Sequence, residues 1–312
     1  MEYRHLGNSG LVVSAVGVGC NQFGSRVDAS GTKATVEKAL SMGVTFFDTA
    51  DVYSHGKSEE FLGAALKHHR HDVVISTKSG WPSGEGPYKS GTSRRYLMQA
   101  LDDCLRRLDT DYIDLYQMHL WDPLTPIEET LRTLDDMVHG GKVRYIGCRW
   151  APWQLIEAEW VARSNRLQGL TAVLGFYSLV QRDLQKEMIP VCERYGIGLI
   201  PISPLAQGFL TGKYRPNQPP PEGGRLSLGD QRAQGVLTDS NFSLLAQFED
   251  FCAKTGRTLL ELSIGWLASQ STVGPVITGA TSPEQIEENV RAGDTRLSVD
   301  EMAEMETIFA ST

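Results

Sequence analysis

Eight short apolar runs punctuate the chain, near residues 15–19, 45–48, 73–77, 113–118, 144–147, 172–176, 198–202 and 275–278. Runs of this length, bounded by polar turns, predict strands. Before them, EYRHLG and LVVSAVG flank Asn8-Ser9-Gly10, which predicts an opening hairpin. Between the runs the pattern turns helical. Residues 31–42 carry one such stretch, with Gly43 as its stop. Over 94–108, Leu97, Leu101, Leu105 and Leu108 share one helical face. Thr125-Pro126-Ile127-Glu128 predicts a helix start with a capping threonine, a proline in the first turn and an acid at the third position. Ser282-Pro283-Glu284-Gln285 repeats that start, and Ser298-Val299-Asp300-Glu301 opens a last amphipathic helix.

Strands alternating with helices predict a parallel sheet. Eight such units with apolar strands favour a closed barrel over a doubly wound sheet. Residues 17–24, GVGCNQFG, also lack the G-x-G-x-x-G turn of a dinucleotide-binding sheet. The fold class is therefore α/β: a (β/α)8 TIM barrel with an N-terminal hairpin and an extra C-terminal helix, spanning residues 1–312 as one domain. Residues 215–235 are Pro/Gly-rich and polar. A loop this long is usually functional, so it reads as a mobile cover over the barrel mouth, with a disordered excursion as the alternative.

Composition narrows the partners. Net charge is −8, with no Lys/Arg stripe, which argues against nucleic acid. No apolar run approaches the roughly 20 residues of a membrane helix. The start, MEYRHLGNSG, lacks an export signal, and five unclustered cysteines suit a reducing cytoplasm. Cys20, Cys148 and Cys192 lie in or beside apolar runs and read as packing.

The chemistry sits at the ends of the runs. Asp48 ends VTFFD, Lys78 ends DVVISTK, His119 ends YIDLYQMH, and Tyr53 follows Asp48 in DTADVY. In a parallel barrel these strand ends form one rim, where active sites are built. A phenol ionises near pH 10, so Tyr53 alone is a poor acid at neutral pH. Lys78 is expected to lower that value, with Asp48 holding Lys78 by ion pairing. Neutral His119 would donate a hydrogen bond to a carbonyl oxygen. The carbonyl carbon then needs a hydride, which no side chain provides, so a nicotinamide cofactor is implied. Singly, each residue has an ordinary alternative: Asp48 as a cap, Lys78 as a strand-end charge, His119 as a satisfied core histidine. Two rival chemistries fail. Tyr53-Ser54-His55-Gly56-Lys57 spells the YxxxK of short-chain dehydrogenases, but the required glycine fingerprint is missing. A metal site wants several strand-end histidines and carboxylates, and only His119 qualifies.

The stretches FFDTADVYSHGKSEEFLGAAL, STKSGW, the run from Ser93 to Cys148, YSLVQRD, ISPLAQGFLTGKY and TGATSPEQIEEN resemble those of aldo-keto reductases, in order along nearly the whole chain. The resemblance implies a barrel that binds NADP(H) without a Rossmann domain, and small-molecule carbonyl substrates. It implies Asp48, Tyr53, Lys78 and His119 as the catalytic tetrad, with Tyr53 the proton donor and His119 orienting the substrate. Its implied cofactor set is Asp48, Arg149, Ser203, Pro204, Leu205, Ala206, Gly208, Lys213, Gly279, Ala280, Thr281, Gln285 and Asn289. In it, backbone N–H groups and Lys213 would neutralise the pyrophosphate, and the turn Gly279-Ala280-Thr281-Ser282 would meet the 2′-phosphate. Many relatives carry a cation where this chain has Thr281, so only a modest preference for NADPH is expected. Substrate walls are expected from residues 80–93 and 213–240, with Trp81, Tyr88 and Trp121 as aromatic candidates beside Tyr53 and His119. Two positions depart from the family. Gly147-Cys148-Arg149-Trp150 replaces its G-x-Ser-Asn, and Leu174 stands where a glutamine is usual. Arg149 then has three readings: a donor to the nicotinamide carboxamide, an anchor for an acidic substrate, or a surface arginine. Some members of the family act as regulatory subunits of membrane channels, which leaves a cofactor-sensing role as the alternative to catalysis.

Overall fold

The computed structural model describes residues 1–222, 224–226 and 231–310. Strands β1 (Tyr3–His5) and β2 (Val12–Ser14) pair antiparallel, with Tyr3 opposite Ser14. Strands β3 (Val16–Gly19), β4 (Phe46–Asp48), β5 (Val74–Ser79), β6 (Ile113–Met118), β7 (Val143–Cys148), β8 (Ala172–Phe176), β9 (Gly198–Ile202) and β10 (Val276–Gly279) follow. All eight are parallel and close into one barrel, β10 pairing with both β3 and β9. Each coincides with a run picked out by its apolar residues.

Around the barrel lie α1 (Ala29–Ser41), α2 (Lys57–Leu66), α3 (Arg94–Leu108), α4 (Ile127–His139), α5 (Pro152–Asn165) and α6 (Met188–Tyr195). Then come α7 (Gln231–Val236), α8 (Asp239–Thr255), α9 (Leu259–Ala268), α10 (Pro283–Asp294) and the C-terminal α11 (Val299–Ala310). Period-two alternation splits each strand between two cores. Phe46, Val74, Leu115, Ala172, Leu174, Ile200 and Ile277 fill the barrel, and Leu6, Leu11 and Val13 of the hairpin join them. Their neighbours, such as Phe47, Ile75, Tyr116 and Val173, face the helices. Leu174 is 2% exposed in the inner core, so it is a packing residue in this chain.

Two local expectations change. Pro126 holds the cap position of α4 with extended backbone, and Thr125 donates to Asp122 Oδ2 at 2.7 Å instead of capping. A proline keeps the residue before it out of helical geometry, so the helix starts one step later. The Pro/Gly-rich segment is not loop throughout. It ends in α7, and Leu226, Ala233 and Val236 are buried in the outer core. These apolar residues anchor part of the segment to the barrel; its residues 223 and 227–230 lie outside the described ones. Ser282 and Ser298 cap their helices as expected, donating partners being Gln285 N and Glu301 N.

Candidate active site

The same period of two that fills the barrel also builds the site. Asp48 continues the inward column of Phe46, and Lys78 that of Val74 and Ser76. His119 continues Leu115 and Gln117, and Arg149 continues Tyr145 and Gly147. Where the apolar residues stop, these columns turn polar at the C-terminal rim.

Asp48 is 3% exposed and Lys78 1%, and they meet at 2.6 Å. Lys78 Nζ also donates to Thr49 O at 2.6 Å. Ser76 Oγ donates to Asp48 Oδ1 at 2.9 Å, and Gln117 Nε2 to Ser76 Oγ at 2.6 Å. Sequence reasoning missed Ser76 and Gln117, although both lie two residues before named site residues and share their face. Burial pulls on the Lys78 ammonium, but the Asp48 carboxylate and Tyr53 outweigh it and hold its pKa above the ordinary value.

Tyr53 is carried by a strained turn. Ser54 and His55 sit at φ 51° and 56°, in the left-handed region that costs about 1–3 kcal/mol for such residues. Ser54 Oγ donates to Phe23 O at 2.8 Å, which ties this turn to the loop after β3. Gly24 is needed there: a Cβ on it would lie 2.6 Å from Lys57 Cβ and 3.1 Å from Ser54 Cβ. Lys78 Nζ lies 5.3 Å from the Tyr53 ring centroid, and the His119 ring stands edge-on to Tyr53 at 6.0 Å. The expectation that Lys78 lowers the phenol is corrected in its sum. Burial pushes Tyr53 up, Lys78 and Arg149 pull it down, and burial wins. His119 is pushed down to about 2 by burial, Lys78 and Arg149, so its imidazole is neutral. Its buried Nδ1 has no partner among the described residues.

The aromatic candidates divide. Trp81 stands beside the site, its ring 5.5 Å from His119 and its Nε1 donating to His119 O at 3.1 Å. Trp121 is half-buried at the rim, between the rings of Trp150 and Trp153 at 5.1 and 5.5 Å. Tyr88 is 57% exposed with the Arg95 guanidinium over its ring, and no described contact brings it to His119.

Behind β5 lies a second polar cluster that the sequence did not announce. Glu59 is fully buried, accepting from Arg107 Nε at 2.6 Å and Thr77 Oγ1 at 2.5 Å. Asp51, also buried, accepts weakly from Tyr96 OH at 3.4 Å and leaves Oδ1 without a partner among the described residues. Burial, reinforced by Glu59, pushes the Asp51 carboxyl up to about 7.

The opposite arc of the rim has another character. Between Ser203 and Gly212, five residues take positive φ: Ser203, Ala206, Gln207, Gly208 and Gly212. The backbone N–H groups of Ala206, Gly208, Leu210 and Gly212 bond to carbonyls within the turn, and that of Gln207 bonds to Ser203 Oγ. Those N–H groups are engaged within the turn. Lys213 folds back on Gly208, where an added Cβ would stand 3.3 Å from its Nζ. Arg225 likewise lies on Gly279, with a Cβ there 3.1 Å from its Nη2. Burial and the nearby Arg26 hold the Arg225 guanidinium below its ordinary pKa. Among the described residues neither arginine meets a carboxylate. A guanidinium resting on Gly279 with a second arginine near enough to repel it, and Lys213 resting on Gly208, fit a phosphate-bearing group such as NADP(H). Arg225 and Arg26 went unnamed in the sequence because neither belongs to a strand end or a recognised motif.

The turn after β10 is already occupied by protein groups. Thr281 N and Oγ1 donate to Gln285 Oε1 at 2.9 and 3.2 Å, and buried Asn289 reaches Gly279 O at 3.5 Å. Ser203, Pro204 and Leu205 form the turn entering the cradle, and Ala280 is buried beneath it. The Arg149 guanidinium lies 4.8 Å over the Phe176 ring. All five cysteines are free and buried, and no group among the described residues has the makings of a metal site. No helix among them is long and apolar enough to cross a membrane.

A model of the Aldo/keto reductase family matches residues 15–310. A probable voltage-gated potassium channel subunit beta of Oryza sativa subsp. japonica is 38% identical, covering 94% of this chain and 92% of its own. The versiconal hemiacetal acetate reductase of Aspergillus parasiticus is 33% identical, covering 98% and 96%. The L-glyceraldehyde 3-phosphate reductase of Escherichia coli (strain K12) is 32% identical, covering 99% and 93%.

Proposed function

The chain belongs to the aldo/keto reductase family, and on that premise we propose that it reduces an aldehyde or ketone to an alcohol with NADP(H). The observation that carries this reading is the meeting of Tyr53 with a buried Asp48–Lys78 pair and a neutral His119 at one rim. NADPH, when bound, supplies the hydride that the carbonyl carbon accepts. Tyr53 gives its proton to the carbonyl oxygen. Its raised pKa keeps that proton in place at neutral pH, which suits an acid waiting for a developing alkoxide. Lys78 stabilises the phenolate left behind, and Asp48 keeps Lys78 charged and aimed. Neutral His119 donates a hydrogen bond to the same oxygen, and Trp81 shields that space from water.

Lys213, Arg225 and Arg26 would hold the phosphates, with Ser203, Pro204, Leu205, Ala206 and Gly208 shaping the turn beneath. Gln285 and Asn289 would face the adenine side, and Arg225 with Arg26 supplies the charge that Thr281 lacks. On this reading the preference for NADPH would exceed the modest one that Thr281 alone implies. Steady-state oxidation of NADPH against a panel of aldehydes tests the reading. Tight NADPH binding with negligible turnover of every carbonyl supports a second one, a cofactor-sensing subunit. The name of the Oryza sativa relative favours that second reading, as does an apolar Leu174 where the family holds the carboxamide.

A further inference from the structure

We propose that Arg149 is an anchor for a negatively charged group on the substrate, so that this enzyme prefers aldehydes or ketones bearing a carboxylate or phosphate. The proposal rests on the carbonyl-reductase reading above and adds the substrate class to it. Arg149 occupies the inward column of β7, next to the strand that ends in His119; its backbone N donates to Met118 O at 2.9 Å. Its position on the inward column one residue past β7 puts it on the same rim as His119, and its charge pulls both the Tyr53 phenol and the His119 imidazole down. Phe176, two residues past Leu174 and 43% exposed, faces the same mouth and backs the guanidinium at 4.8 Å.

Among the described residues this half-buried guanidinium has no carboxylate and no side-chain hydrogen bond. A cation withdrawn from water without a counter-charge is unfavourable, and an arriving anion removes that cost. The other cation of the site is already engaged, since Lys78 is held by Asp48 and Thr49 O. The groups suited to cofactor phosphates are other residues, Lys213 against Gly208 and Arg225 against Gly279 with Arg26 near it. A nicotinamide carboxamide is neutral and would leave the charge of Arg149 uncompensated. A guanidinium backed by an aromatic face still presents its N–H fork in plane, which matches a carboxylate or phosphate with two parallel bonds.

The test compares matched pairs that differ in charge: 4-carboxybenzaldehyde against methyl 4-formylbenzoate, succinic semialdehyde against butanal, and erythrose 4-phosphate against erythrose. The first two pairs vary the distance from carbonyl to carboxylate, and the third separates phosphate from carboxylate. In the wild type, kcat/KM is expected to favour the anionic member of at least one pair by about ten- to a hundredfold, the size of one charge-assisted bond. In Arg149→Ala that ratio is expected to collapse toward one through a rise in KM, and Arg149→Lys to retain part of it. The Kd for NADPH is expected to move by no more than about twofold, roughly 0.4 kcal/mol. Wild-type turnover with no preference for any anion overturns the anchor and leaves the reductase reading standing. A weakened Kd for NADPH with the ratio intact also overturns it, because Arg149 then serves the cofactor. Absence of turnover on every carbonyl, charged or not, refutes the reductase reading and the anchor with it.

Discussion

Where β4 and β5 end, the charged groups are buried, paired and fixed; the cations that lie on Gly208 and Gly279 meet no carboxylate among the described residues. Asp48 is held by Lys78 and Ser76, and Lys78 by Asp48 and Thr49 O. Lys213 and Arg225 rest instead on Gly208 and Gly279. On the proposed function, the difference follows from what each arc would do. Proton transfer needs one acid kept in one protonation state, which burial and fixed neighbours secure. A phosphate carries its own counter-charge, so its site is best left with cations unsatisfied until it arrives. The Asp48–Lys78 pair is satisfied without a ligand; on the proposed reading the cation arc is completed by one.

The contrast is sharpest at Tyr53. Replacing it with phenylalanine removes the acid and leaves the cation arc untouched. Tyr53→Phe should lower kcat by about a thousandfold, in the range that positioned acids contribute, with the Kd for NADPH nearly unchanged. Fluorescence titration with NADPH beside steady-state kinetics checks both halves. A variant keeping a third of the wild-type kcat would remove Tyr53 from its role.

Arg225→Ala works on the other arc. It should weaken NADPH binding by about ten- to a hundredfold, the size of a charge-assisted hydrogen bond, while NADH binding changes little. If both coenzymes weaken equally, Arg225 holds something other than the phosphate that distinguishes them.

The buried acid behind β5 gives a smaller, pH-dependent effect. Asp51 is held near 7 against an ordinary 3.8. Below the lower value the carboxyl is protonated folded or unfolded, and its contribution to stability is fully present. As pH rises through about 7 the folded state must ionise a buried group, and that contribution is lost, at most about 4 kcal/mol. Asp51→Asn should therefore raise Tm relative to wild type at about pH 8 by several degrees more than at about pH 5. Equal differences at the two pH values would show that Asp51 does not titrate between them.

The smallest change tests how firmly the first arc is held. Ser76→Ala removes one of the bonds that fix Asp48, worth about 1 kcal/mol, and should lower kcat by about fivefold without altering coenzyme affinity. Across about pH 6 to 9 the wild-type kcat for reduction should stay level, because Tyr53 sits above its ordinary value and His119 near 2. A fall in kcat on the alkaline side within that window would show a phenol that ionises earlier than its burial implies.

Much of this was legible in order along the chain. Eight apolar runs, three of them closed by Asp48, Lys78 and His119, predicted eight strands and a common rim, and the strands formed there. Asp48, Lys78 and His119 were readable because a period of two carries the inward face one step past the last apolar residue. Ser76 and Gln117 were equally readable by that rule and were passed over because serine and glutamine carry no charge to draw the eye. Thr125 misled because a capping residue before proline is a rule about local preference, and Asp122 offered it a competing partner.

What the chain determined alone is whatever depends on neighbours close in sequence: strands, helix caps, the alternation that splits inner from outer core, and the strand-end chemistry. What only the tertiary structure decided depends on groups far apart in sequence. Arg225 rests on Gly279 and feels the charge of Arg26, and Arg149 meets Phe176 of the neighbouring strand. Glu59 finds Arg107 on the next helix and leaves Asp51 without a full complement of partners. The direction of the Tyr53 shift belongs there too. Desolvation and the Lys78 charge oppose each other, and which one wins depends on how deeply the folded barrel buries the phenol, a quantity no local pattern carries.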